Sequence, residues 1–220
     1  MLIAHTNNEI EKSVIRSQHT QRNWNLDKQL PKEDVNTLLQ AVTNCPSKQN
    51  IAFYKVHFIQ NRKLIEEIHE NTYGFRYGDG FSETETNPQT LANLLVIFEN
   101  YNYLDDLKDD IHRNQATREY IKNGKLSDVR EAELDRDKQI AVGIASGYLN
   151  LSASLMGYRT GCCQCMDNIA IKEIAMLKEL PLLLMGVGFS QKGVSRRRHH
   201  IRDFTFASKK KQPIKYEVWD

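Results

Sequence analysis

The 220-residue sequence predicts one layered domain of mixed α and β structure. Segments with helical periodicity alternate with short apolar runs of strand length. Neither a repeat nor a low-complexity block nor a linker divides the chain, so residues 1–220 read as one unit. A hydrophobic fraction of 40% and a charged fraction of 26% supply enough apolar material for one substantial core.

The elements follow in chain order. "LPKEDVNTLLQAVTNCP" reads as a helix, with Pro31 in its first turn, Val35, Leu38, Leu39 and Val42 on one face, and Pro46 as its stop. "AFYKVHFI" reads as a strand, because Phe53, Val56 and Phe58 fall near a period of two. "NRKLIEEIHEN" is a short helix opened by Asn61. Residues 72–90, rich in Gly, Thr and Asn, read as a long loop, of the kind that is a binding loop or disordered. "LANLLVIF", 91–98, is a continuous apolar run and reads as a strand buried on both faces. The polar stretch 104–126 reads as helical, part of an excursion at about 100–130.

Residues 135–157 form the strongest helical pattern, with an apolar face of Ile140, Ile144, Tyr148, Leu151 and Leu155 and a stop at Gly157. The helix also carries Gly143 and Gly147, whose helix penalty close approach to another backbone would offset, so it reads as the centre of the fold or of a dimer interface. "TGCCQCMD", 160–167, reads as a loop between helices. "NIAIKEIAMLKEL" is a helix capped by Asp167 or Asn168, "PLLLMGVGF" a buried strand, and "PIKYEVWD" a short strand on a sheet edge.

Composition excludes several classes of function. A net charge of +2 does not make the whole molecule a nucleic-acid glove, although "SRRRHHIR" and "SKKK" form a late basic run. The longest apolar run, "LPLLLMGVGF", is about half the ~20 residues a membrane span needs. The start "MLIAHTNNEIEKS" lacks the pattern of a secretory signal, so a cytoplasmic location is expected. Cys45, Cys162, Cys163 and Cys165 are expected as thiols. They lack the repeated Cys-x2-Cys spacing of a zinc site, and adjacent Cys162 and Cys163 would point oppositely in an extended chain. They read as small core fillers, and no metal is expected.

Four segments, in order, resemble the flavin-dependent (FMN) nitroreductase family. "QHTQRNW", 18–24, is similar to its opening basic-Ser-x-basic-x-aromatic motif, with Thr20 for the serine, Arg22 for the second basic residue and Trp24 for the aromatic. "CPSKQN", 45–50, before a strand, is similar to its Pro-Ser-x-x-Asn element. "NPQTLANLLVIF" fits its central loop and strand, and the stretch from "SLMG" through "YRTGCCQCMD" to "PLLLMGVGF" fits its closing half. The resemblance implies an α+β fold, a three-layer α/β/α arrangement with a mixed, mainly antiparallel sheet flanked by helices. It also implies an intertwined homodimer with an extended arm at about 195–220, and two FMN molecules held between the chains.

For the FMN phosphate the resemblance implicates Thr20, Arg22 and the late basic pair. Arg196 and Arg198 would share a face if extended, and Arg197 is their alternative. Gln18 stands where the family commonly has arginine, so the reduced flavin's negative charge would be stabilised less, with His19 supplying part of that charge. Pro46, Ser47, Lys48 and Asn50 would reach the cofactor from the other chain, and Asn87 its pyrimidine edge. Gln164 and Cys165 hold the place of a backbone N–H aimed at the flavin N5. Tyr73, Phe75, Tyr77 and Phe81 are candidates for stacking on an aromatic substrate.

The implied activity is ping-pong reduction of nitroaromatics, quinones or related small electron acceptors by NAD(P)H, with hydride passing through the flavin and no catalytic side chain. Two other readings remain at this level. One is a different reaction on the same fold, such as reductive dehalogenation or flavin fragmentation, or little turnover. The other is nucleic-acid binding through the late basic run, for which the sequence offers no interleaved aromatics.

Overall fold

The sheet is organised around the most apolar strand of the chain. The computed structural model describes residues 2–74, 87–104, 106, 115–200, 203, 205–208 and 210–219. Among these, the elements run α1 (Leu2–Ser17), α2 (Lys32–Thr43), β1 (Tyr54–Ile59), α3 (Arg62–Glu70), β2 (Leu94–Asn100), α4 (Gln115–Asn123), α5 (Asp128–Leu155), β3 (Arg159–Cys163), α6 (Asn168–Ile174) and β4 (Pro181–Gly188), with short 3-10 turns at Lys48–Asn50 and Pro88–Thr90. The four strands pair antiparallel in the order β1-β2-β4-β3. The central strands β2 and β4 are buried along nearly their whole length, as continuous apolar runs require.

Helices cover both faces of this sheet. On one face, Leu38 and Val42 of α2 and Val142, Ala145, Leu149 and Ala153 of α5 meet Leu94, Val96, Phe98, Leu183, Met185 and Val187. On the other, Ile65 and Ile68 of α3 and Ile171 of α6 meet Leu95, Ile97, Cys163 and Leu184. The result is the expected three-layer α+β fold. Helix starts follow their caps: Asn61 accepts the Leu64 N–H, and Asp167 accepts those of Ile169 and Ala170.

Four expectations need correction. Residues 159–163 are a strand, so only the end of "TGCCQCMD" is loop. This strand has no apolar alternation of its own; it exists because Arg159 to Cys163 pair in register with Gly188 to Leu184. Cys162 and Cys163 do point to opposite sides, the first exposed and the second buried. The face of α5 that packs inward is Ala141, Val142, Ala145, Leu149 and Ala153, whereas Ile140, Tyr148 and Leu155 lie 54%, 47% and 50% exposed. Small side chains let this helix sit closely on the sheet, and the larger apolar stripe is turned outward. The described residues of the "PIKYEVWD" tail form no strand and expose Ile214, Tyr216, Val218 and Trp219, since an edge strand exists only where a neighbouring edge is offered. Finally, α1 is a helix that the polar sequence of residues 2–17 did not announce, and α5 begins at Asp128 rather than 135.

Two buried features control stability. Gly161 and Gly186 face each other across β3 and β4. A Cβ on Gly186 would lie 2.1 Å from the Gln89 carbonyl oxygen, and one on Gly161 would lie 2.8 Å from that of Gln21. The second feature is His69, only 4% exposed, whose Nδ1 lies 3.0 Å from the Asn87 carbonyl oxygen and 3.1 Å from Thr90 Oγ1. Burial pushes its pKa down to about 4, against the opposing pull of the Asn87 carbonyl, with His199, Arg62 and His200 adding to the depression. The imidazole is therefore neutral in the fold.

Gly186→Ala is expected to destabilise the protein by about 2 kcal/mol or more in urea unfolding, because the obstructing atom is backbone; an unchanged midpoint would refute the close approach. His69 supplies the pH dependence. Its folded pKa lies below the unfolded value of 6.5, so the unfolded chain takes up the proton first as pH falls. Stability from this residue is full above pH 6.5 and lost progressively towards pH 4, by up to about 3 kcal/mol. His69→Gln should flatten the stability curve across that window.

Candidate functional site

The segment after α1 is held extended along the end of the sheet. Its backbone N–H groups donate in turn: Gln21 to the Thr160 carbonyl at 2.8 Å, Arg22 to that of Arg196 at 3.0 Å, and Asn25 to that of Phe189 at 2.9 Å. Trp24, 1% exposed, anchors the run by donating from Nε1 to the Pro88 carbonyl at 2.8 Å. These contacts place the "QHTQRNW" motif beside the start of β3 and the chain beyond β4.

A cleft of about 570 Å³ opens there, lined by Lys12, Arg16, His19, Gln21, Arg159 and Arg196 with four uncharged neighbours. None of the described lining residues is a carboxylate. Arg196 is oriented by donating from Nη1 to the Thr20 carbonyl at 3.2 Å. Arg16 is held at the end of α1, with Nε on Ser154 Oγ at 3.2 Å and Nη2 on Ser13 Oγ at 3.1 Å. Burial lowers the pKa of Arg159, and the fields of Arg16 and Arg196 lower it further. Guanidiniums crowded in this way, without a carboxylate, form a receptor for an anion.

The structure sorts the sequence candidates. His19 lines the cleft, where desolvation and then the fields of Arg196, Arg159 and Lys211 lower its pKa from 6.5. Gln18 is exposed at the end of α1, and Thr20 contributes its carbonyl to Arg196. Arg22 lies next to the cleft, under the Phe206 ring at 4.8 Å, and that ring stacks on His199. Residues 195–198 turn, with the Arg198 N–H on the Ser195 carbonyl at 2.9 Å, so Arg196 and Arg198 do not share a face. Arg198 pairs with Asp203 instead, and Arg197 donates to the Phe206 carbonyl at 3.3 Å. The late basic run is thus folded onto the protein at Arg196 and Arg197 rather than laid out as an open strip.

The segment carrying Gln164 and Cys165 leaves β3 alongside residues 71–73. Tyr73 N–H donates to the Cys165 carbonyl at 2.8 Å, and Asp167 N–H to the Asn71 carbonyl at 2.9 Å. Gln164 and Cys165 are exposed. Behind them, Asn87 donates from Nδ2 to Cys163 Sγ at 3.1 Å and accepts the Gln89 N–H on Oδ1. Asn87 is 4% exposed, so its side chain supports this loop from inside. Burial pushes the Cys163 thiol up to about 11, which keeps it protonated. Tyr73 is exposed with its hydroxyl 3.4 Å from Asp167 Oδ2, whereas Phe75, Tyr77 and Phe81 lie outside the described residues.

Pro46, Ser47, Lys48 and Asn50 lie elsewhere. Ser47 Oγ donates to the Ile51 carbonyl at 2.8 Å, and Gln49 and Asn50 both hold positive φ, of 56° and 54°. Lys48 pairs with Asp137 of α5 at 2.5 Å. The cleft side is tied to the same helix at Asn150, which donates to the Ser17 carbonyl, and at Ser154. At a rise of about 1.5 Å per residue these anchor points lie roughly 20–25 Å apart along α5. One chain therefore presents two separated groups of candidate residues.

Sequence reading missed Lys12, Arg16 and Arg159. Arg16 and Arg159 border the recognised segments, in "IRSQHT" and "GYRTG", but only the packing of α1 on α5 and the register of β3 bring them together.

Residues 15–189 match the sequence profile of the nitroreductase family, and the chain belongs to that family. Solved structures with the same fold include a nitroreductase family protein from Streptococcus pneumoniae, at 17% identity over 85% of this chain and 92% of that one, TM-score 0.60. A Staphylococcus epidermidis protein assigned as an NAD(P)H:FMN oxidoreductase matches at 19% identity over 89% and 95%, TM-score 0.60. A protein from Exiguobacterium sibiricum assigned as a nitroreductase and solved in complex with FMN matches at 16% identity over 86% and 91%, TM-score 0.59. No curated protein matches the sequence. No helix among the described residues is long and apolar enough to cross a membrane.

The His19 environment makes a spectroscopic prediction. In dilute buffer without multivalent anions, its imidazole should titrate below 6.5 by NMR, and saturating inorganic phosphate should move it upward as the arginine field is neutralised. A pKa above 6.5 before phosphate is added would contradict the cleft as described.

Proposed function

We propose that this protein is an FMN-dependent oxidoreductase that takes electrons from NAD(P)H, works as a homodimer, and reduces small oxidised acceptors such as nitroaromatics or quinones. The observation that carries the reading is the cleft of arginines without a carboxylate, positioned by the family's opening motif. Its donor set fits the phosphate of FMN. Arg196, held on the Thr20 carbonyl, and the neighbouring Arg22 would bind that phosphate, and Gln18 and His19 would line its approach. The exposed Gln164–Cys165 backbone would face the ring, fixed from behind by Tyr73, Asn87 and Cys163.

When bound, the flavin would supply the two-electron redox chemistry between the reduced nicotinamide and the acceptor. The chain's own contribution is position, shielding and electrostatics. The cations hold the cofactor's negative end, and the thiol of Cys163 stays protonated and buried under the loop. Tyr73, at the edge of that loop, is placed to pack against an aromatic acceptor.

The dimer is supported by two observations. The Lys48 and Arg196 groups sit at different stations of α5, so one site would draw them from two chains. The outward stripe of α5, with Ile140, Tyr148 and Leu155, also includes Gly143 and Gly147, around whose Cβ positions no described residue beyond the helix's own turns comes within 4 Å. Glycine costs a helix about 1 kcal/mol relative to alanine, and no described neighbour recovers it. A second backbone approaching there would.

The protein should purify yellow with about one FMN per chain and oxidise NADH or NADPH. Arg196→Ala should weaken FMN binding about tenfold to a hundredfold, as for the loss of a charge-assisted contact. Gly147→Leu should yield a folded monomer that has lost FMN. A colourless protein that takes up no added FMN would end this reading.

A further inference from the structure

We propose that His200 is a proton-operated latch for the chain beyond β4, and that acid releases this segment together with the Arg196 corner of the cleft. The observation is a difference among four backbone donors. Between α1 and α2, the N–H groups of Gln21, Arg22 and Asn25 reach carbonyl oxygens, which do not titrate. The N–H of Trp24 reaches Nδ1 of His200 instead, at 3.4 Å. A ring nitrogen that accepts a backbone N–H carries no proton of its own. Once protonated it is a donor facing a donor, and the contact is lost.

The segment held by this contact is the one that completes the cleft. Arg196 accepts the Arg22 N–H on its carbonyl at 3.0 Å and donates from its guanidinium to the Thr20 carbonyl at 3.2 Å. His199 is 3% exposed and stacks on Phe206. Phe206 is tied back to the Arg197 carbonyl through its N–H at 2.8 Å and lies against the Arg22 guanidinium. The described part of the segment therefore seats as one piece.

Its surroundings oppose a proton. From α3, Arg62 and the buried His69 face the histidine pair. The segment after α1 brings Arg22, itself partly desolvated, and the latch's own segment brings Arg196, Arg197 and Arg198. The turn at Pro88–Thr90 is uncharged. The described carboxylates on these elements are committed: Glu66 pairs with Arg62 at 3.1 Å, and Asp203 with Arg198. Burial lowers the pKa of His200 from its ordinary 6.5, and the field of Arg62 lowers it further. The released segment regains the ordinary value and takes up the proton more readily than the seated one. Seating is therefore full above about pH 6.5 and weakens as pH falls below it. The latch needs no cofactor; only the identity of the cleft's anion rests on the flavin reading above.

Amide hydrogen exchange on the full chain as purified, whether or not it carries flavin, tests this. Between about pH 7 and pH 5, after correction for intrinsic rates, protection at Arg22 and Trp24 should fall by about tenfold, while Gln21 and Asn25, held by Thr160 and Phe189, keep theirs. His200→Gln, which can accept the Trp24 N–H through Oε1 but takes up no proton, should abolish that fall. Sulfate, whose charge is constant across this window, gives a second readout. Its affinity should drop severalfold in acid, against the rise that protonating His19 in the cleft would produce.

Loss of protection at all four amides together would mean general unfolding and overturn the latch. So would protection that ignores pH, or a fall that survives in His200→Gln. A sulfate affinity that rises or holds level in acid would overturn the link to the cleft. Absorbance settles separately whether the protein binds FMN, and a colourless protein leaves both measurements in force.

Discussion

Two glycines set the distance between the sheet and the chain that crosses its end, and the site depends on that distance. Gly161 and Gly186 sit opposite each other on β3 and β4, and their missing side chains leave room for the backbone at Gln21 and Gln89. With that room, the Gln21 N–H reaches the Thr160 carbonyl, and Gln89 donates from its amide to the Cys162 carbonyl. The first contact carries Thr20 and Arg22 to Arg196. The second ties the Pro88–Thr90 turn to the strand that leads into Gln164 and Cys165. The cation cleft and the candidate ring-facing loop are therefore held by the same pair of close approaches. A side chain at either glycine would push on backbone, which has nowhere to relax in a core packed at crystal-like density.

The long helix α5 serves three neighbours at once. Its small residues sit on the sheet, its Asn150 and Ser154 hold the end of α1, and its Asp137 holds Lys48. Arg16 is oriented for an anion only because Ser154 and Ser13 meet where α1 crosses this helix. On the outward stripe of α5, large apolar side chains lie exposed beside two glycines.

Electrostatics at the cleft follow from burial as much as from composition. The total charge is nearly balanced, yet three guanidiniums line one cleft with no carboxylate among its described lining residues. His19, inside that field, has its pKa lowered, by desolvation first and then by the neighbouring arginines. Arg198, equally basic on paper, is neutralised by Asp203. The same residue type thus has opposite roles a few positions apart, decided by which way a turn points it.

The sequence by itself determined the layered α+β class, the two buried strands, the cap at Asn61, the second cap to within Asp167 or Asn168, and the resemblance to the nitroreductase family. These are local signals: apolar runs, capping side chains and short motifs act within a few residues of themselves. Tertiary structure alone decided that Arg159–Cys163 is a strand, because an edge strand of Thr, Gly and Cys takes its identity from β4 rather than from its own pattern. It decided which face of α5 is inside, since small residues win the contact with the sheet and larger ones are left out. It also decided that Arg16, Arg159 and Arg196, far apart in the chain, share one cleft, because strand register and helix crossing are long-range facts that no local pattern records.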